Sequence, residues 1–143
     1  RSRAHAQLST VAEPRERRGH IVREVDARRV DERDGSWEDR SPRFRVYLFV
    51  RGGGGDYSGT DTWDLSGVDV LDAIRWAQDQ AGDEGLYALA LVRDEPESDP
   101  SRGLVWLVGM DWFDSVDGDP ERQRIKDRMI ARRGRKVVSD EPL

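Results

Sequence analysis

Cysteine is absent from the 143 residues. That absence removes disulfides, Cys-ligated zinc, iron–sulfur clusters and thiol nucleophiles, and it fits a reducing, cytoplasmic setting. Histidine occurs only at His5 and His20. Neither has a neighbour at metal-ligand spacing, so no metal site is expected. No Gly-x-Ser-x-Gly nucleophile elbow occurs either, and no catalytic residue or cofactor can be nominated. No stretch approaches the ~18 consecutive apolar residues of a membrane span, and the Arg-rich start lacks the apolar core of a secretory signal. The chain opens on Arg1 rather than Met, which leaves a leader ahead of it an open matter. Asparagine is missing, and of 24 basic residues only Lys126 and Lys136 are lysines. Codon usage of a GC-rich bacterial genome accounts for both.

Charged residues make up 37% of the chain and hydrophobic residues 36%, with a net charge of −5. An acidic balance argues against non-specific binding to nucleic acid or anionic membrane. The distribution is uneven: arginines gather in residues 1–30 and again in residues 122–136, and the apolar residues concentrate between Phe44 and Phe113. This suggests three parts: a polar arm over 1–19, a core over 20–118, and a charged helix and tail over 119–143.

Within the core, residues 43–51 alternate as a strand, Phe44, Val46, Leu48 and Val50 on one face and Tyr47 and Phe49 on the other. Residues 20–31 pair polar and apolar positions (Ile21, Arg23, Val25, Ala27) and read as a preceding strand. Apolar positions at Val70, Leu71, Ile74, Ala77 and Ala81 recur at helical spacing, which predicts a helix over 66–82 with Ser66 as N-cap and Gly82 as its stop. Residues 86–93 and 103–110 are near-continuous apolar runs, the pattern of strands inside a sheet with both faces covered. Pro120 after Asp119 predicts a second helix over 120–133 with a thin apolar stripe at Ile125 and Met129. The fold class is therefore α+β: a mixed sheet of three to four strands in the order β-β-α-β-β, one packed helix and a charged C-terminal helix. Strand 43–51, helix 66–82 and strand 86–93 read as a parallel crossover unit.

That reading brings one edge of the sheet into view. The glycine run Gly52-Gly53-Gly54-Gly55 follows a strand and precedes a helix, where loops cradle phosphate. It lacks the ending of a P-loop and the spacing of a dinucleotide fingerprint. In a crossover unit, however, Arg51, Gly53 and Gly54 share an edge with Arg93 and Arg102, which makes these five residues a candidate anion site. The acidic run from Asp111 to Asp119 has the wrong spacing for a calcium loop and reads as a turn capping the last helix. The five tryptophans are many for the length. Trp37, Trp63 and Trp112 fall in loops or at strand ends and are candidate partner-binding anchors, whereas Trp106 alternates with a core face and reads as packed.

One helix of about four turns cannot cover both faces of such a sheet, so terminal segments or another chain must cover the second. The function expected from these features is a non-catalytic module that binds a partner protein or self-associates as a homodimer. The alternative is an anion- or nucleotide-sensing domain using the glycine-rich edge. A further alternative is a nucleic-acid accessory protein using the Arg-rich termini.

Overall fold

The computed structural model describes residues 24–94 and 102–139. The chain divides into two units, Arg1–Glu38 and Asp39–Leu143. In the first, the described residues form one short 3-10 turn, Glu32–Asp34. Asp31 caps it, accepting from the Arg33 amide at 2.9 Å and from the Arg33 guanidinium at 3.1 and 3.0 Å. The Arg33 side chain lowers the Asp31 pKa. The strand expected over 20–31 does not form in its described part: residues 24–30 are irregular and exposed. Val25 and Val30 are too sparse an apolar set to bury, and the local cap wins at Asp31. Residues 20–23 and the arm over 1–19 lie outside the described residues.

Among its described residues the second unit holds six elements. Strand β1 is Arg43–Arg51, β2 Tyr57–Leu65, helix α1 Val70–Ala81, β3 Leu86–Asp94, β4 Arg102–Val108 and helix α2 Pro120–Ala131. The strands form one sheet in the order β2-β1-β3-β4, and every neighbouring pair is antiparallel. The class and the β-β-α-β-β order agree with the sequence reading. Two points are corrected. The first two strands are β1 and β2 rather than 20–31 and 43–51, and the sheet is wholly antiparallel rather than mixed. Both corrections have one cause. The polar stretch Tyr57–Leu65 is a strand, so the chain reverses before α1 and enters β3 antiparallel to β1. Polar sequence suffices there because β2 is an edge strand with much of its surface in water.

The glycine run makes that reversal. Gly55 N donates to Gly52 O at 3.1 Å and Gly52 N to Asp56 O at 2.7 Å, and Gly55 sits at φ 93°. A Cβ at Gly52 would lie 2.7 Å from Ser58 Oγ. Across the hairpin, Asp64 accepts from Arg45 at 2.7 and 3.0 Å and lies 3.4 Å from Arg43. Arg45 stands directly opposite Asp64 in the register, so the ion pair helps hold β2 in place. It also keeps Arg45 firmly protonated.

Each face of the sheet has its own core. On one, α1 lays Ala73 and Ala77 against Phe44, Val46, Leu48, Tyr87 and Leu89. The helix starts at Val70, later than expected, because Asp69 is the cap: it accepts from Asp72 N at 2.8 Å while Asp72 accepts from Asp69 N at 3.3 Å. The buried stripe is rotated from the expected one. Val70 and Leu71 are exposed, while Ala73, Ala77 and Gln78 are buried. Alanines let the helix axis approach the sheet, and the first turn overhangs it.

Gln78, placed off the stripe by its polarity, is only 6% exposed. Its amide is satisfied by the C-terminal strap: Gln78 Oε1 accepts from Val137 N at 2.9 Å and Val138 N at 3.2 Å, and Nε2 donates to Val138 O at 2.5 Å. Arg75 adds a bond to Ser139 O at 3.1 Å.

On the opposite face, Met129 of α2 packs with Phe49, Leu86, Ala88 and Met110, flanked by Tyr57, Trp112 and Ile125. The second face is thus covered, at the Phe49 end, by the chain's own C-terminal helix. Gly109 makes this possible: its φ is 76°, and a Cβ there would sit 3.0 Å from Ala88 Cβ and 3.3 Å from Met129 Cγ. Asp119 caps α2 and Pro120 opens it, as the sequence predicts.

Three predictions concern stability. Gln78→Ala strips three hydrogen bonds from the strap and leaves backbone groups facing a gap, so urea denaturation should show a loss of about 1–3 kcal/mol. The Tyr87 hydroxyl is buried without a hydrogen-bond partner among the described residues, so Tyr87→Phe should be neutral or slightly stabilising in the same measurement. The backbone bond from Asp69, then the Arg75 side chain, lowers the Asp72 pKa. Its contribution is therefore complete above the ordinary carboxylate range and is lost as pH falls through the lowered value. The gap in urea midpoint between wild type and Asp72→Asn at neutral pH should close in strong acid.

Candidate functional site

The antiparallel sheet disperses the candidate anion site. Arg51 pairs with Tyr57 at one end of β1, while Arg93 and Gly103 pair at the other end, past Arg43↔Val92. Eight residues of extended chain separate Arg43 from Arg51, about 26 Å at ~3.3 Å per residue. Arg51 instead bonds Glu84 at 3.0 Å and lies over the Tyr57 ring at 5.3 Å. Gly53 and Gly54 are exposed turn residues with nothing within 4 Å of a built Cβ. Arg102 stands opposite Asp94 in the register. The glycine turn and the α1 N-terminus also lie at opposite ends of the sheet, because β2 runs back between them. The five residues do not share an edge.

The tryptophan anchors fare differently from one another. Trp37 belongs to the first unit and is 69% exposed. Trp112 is half-buried, its ring 5.5 Å from Tyr57 and 5.1 Å from Lys126 Nζ, and it secures α2 to the β1–β2 hairpin. Trp63 packs edge-on against Trp76 at 5.9 Å yet remains 52% exposed. Beside it a shallow depression of about 520 Å³ is lined by Asp64, Leu65, Val68, Asp72, Arg75 and Trp76. Three of its charges are engaged, Asp72 with Arg75 at 3.0 Å and Asp64 with Arg45, and Asp79 lines it as well.

The feature missed in the sequence is β4. The two-sided apolar pattern predicts a strand inside the sheet. The structure places β3 there, buried from Leu86 to Ala90, and puts β4 at the margin. Val105 is 41%, Trp106 38% and Leu107 43% exposed. Pairing with β3 runs Val92↔Leu104, Leu91↔Val105 and Ala90↔Trp106, then shifts so that Leu89 meets Val108 and Leu107 is the extra residue. Trp106 lies on the α2 face, 5.0 Å from Tyr47, over the small Ala90. Val105 lies on the α1 face with Leu91. The strip is therefore apolar on both faces, and among the described residues its outer row of backbone N–H and C=O groups has no strand beside it in the sheet.

Exposed edges usually carry charge, proline or a bulge against unwanted pairing. Both edges carry a bulge, at Ser58 on β2 and at Leu107 on β4, but only the β2 edge also carries charge, with Asp61 and Asp64 along it. Between Gly103 and Met110, β4 and its exit carry no charge. The signal available in the sequence was this charge-free run in a chain so rich in charge. Nothing in it, however, separates a central strand from a bare edge.

Among the described residues no group of three or more His, Asp or Glu could hold a metal ion, and no helix is long and apolar enough to cross a membrane. The chain matches no protein-family model, no curated protein and no solved structure.

With Arg51 and Arg93 at opposite ends, titration with inorganic phosphate followed by calorimetry should give no saturable heat that depends on both. A saturable isotherm abolished equally by Arg51→Ala and Arg93→Ala would contradict the separation.

Proposed function

We propose that this domain is a non-catalytic interaction module whose docking strip is the free edge of β4. The observation that carries the reading is the exposure of Val105, Trp106 and Leu107 on an edge strand with no charge between Gly103 and Met110. An extended partner segment added there would gain main-chain hydrogen bonds from the outer row of β4 and side-chain contacts from Trp106 on one face and Val105 on the other. Trp106 is the natural anchor: it offers a large, stiff surface already braced by Tyr47, so little side-chain freedom is lost on binding. The anion-sensing alternative loses its geometric support once its arginines are separated.

The test is site-specific photo-crosslinking. A benzophenone side chain at position 107 should give protein adducts in a native extract, whereas the same group at Thr60 on the opposite edge should give few. Absence of any adduct at 107, with another protein or with the chain itself, would remove β4 as a docking strip.

A further inference from the structure

We infer that the occupant of the β4 edge is a second copy of this chain, paired antiparallel about a two-fold axis at Val105. This rests on the reading of β4 as a docking strip and deepens it.

The strand has seven residues, Arg102–Val108, with Val105 at its midpoint. A two-fold axis there pairs Val105 with itself and Leu104 with Trp106 on either side, up to the bulge at Leu107. Residues directly opposite in an antiparallel pair share a face, so Trp106 lands beside Leu104 of the copy on the α2 face and the two Val105 side chains meet on the α1 face. The register sets Trp106 against the smaller Leu104 and never against itself.

Charge points the same way. Each copy carries a net −5, so two copies repel unless they meet where neither is charged. Residues 103–110 are the charge-free stretch of the strand and its exit, and the two-fold keeps them together. The opposite edge explains why association stops at two. Asp61 and Asp64 on β2 leave no second charge-free edge for a third copy, so the contact is closed and isologous. The product is one continuous antiparallel sheet running across both copies.

Seven residues give a strip about 23 Å long at ~3.3 Å per residue, less surface than the roughly 800 Å² per partner of a standard stable interface. Area alone does not fix affinity, so association is followed from the micromolar range upward.

Sedimentation velocity on the full chain tests this. Wild type should move from 16.3 kDa to twice that mass as its concentration rises through the micromolar range. Val105→Lys and Val105→Glu each place like charges face to face on the axis and should weaken self-association by about a hundredfold or more. An equimolar mixture of the two should recover it, more weakly as salt is raised. Wild type that stays monomeric at several hundred micromolar overturns the second copy, while adducts at position 107 with another protein would still uphold the docking strip. A lysine variant that dimerises like wild type, or a mixture no better than its components, overturns the Val105 axis.

Circular dichroism checks that the charged variants fold. If they do not, Val105→Cys gives a near-isosteric replacement in a chain without cysteine. It should form a disulfide-linked dimer under mild oxidation far faster than Ser58→Cys on the β2 edge, and equal rates for the two would overturn the proposal.

Discussion

Pairing between β1 and β3 holds the domain together. It joins two hairpins, β1–β2 and β3–β4, that touch each other through no other strand pair, and it does so between segments some forty residues apart in the chain. The cost of bringing them together is loop-closure entropy, and what offsets it is burial on both sides of the same ladder. Val46 and Leu89 are opposite each other under α1, and Phe49 and Leu86 are opposite each other under α2. The small residues Ala88 and Ala90 in β3, and Ala73 and Ala77 in α1, keep the layers close enough for those large side chains to meet. Neither helix has a place to dock until this central pair exists.

Much of this was readable from residue pattern. Alternation identified β1 and the sides its residues take. Helical spacing identified both helices, and the Asp119-Pro120 pair placed the start of α2. What the pattern could not convey was Tyr57–Leu65. Threonines alternating with Trp63 and Leu65 are a strand signal, but the aspartates and glycine mask it, because an edge strand answers to its neighbour and to water rather than to a core. Missing that one element reversed the inferred direction of β3 and gathered Arg51, Arg93 and Arg102 on an edge they do not share. Gln78 escaped for a related reason. Its polarity marks it as a surface residue until the strap from residues 137–139 is known to reach it, and contact across some sixty positions leaves no periodic trace.

The two edges of the sheet show how differently one fold can treat the same exposed backbone. On β2 the side chains are mostly polar and Asp64 is held in an ion pair. On β4 the side chains are apolar on both faces, and Trp106 leans inward on Tyr47 without being buried by it. In a chain with more charged than apolar residues, ordinary surface drift would have put a lysine or glutamate on such a strip. The second face adds to the contrast, since α2 covers it near Phe49 but stops short of Trp106 and Leu104, leaving the apolar surface continuous from the face onto the edge.

The strap also has a bearing on how the chain matures during synthesis. Gln78 leaves the ribosome well before Val137 and Val138, so helix α1 can settle on the sheet while its buried amide still has nothing to bind. The sheet and both cores are built from residues 43–131, yet the Gln78 amide is satisfied only when residues 137–138 close over the helix. Unfinished translation products that end before residue 137 would carry a finished interior with one open polar wound, a difference that quality-control proteases reading local opening could detect.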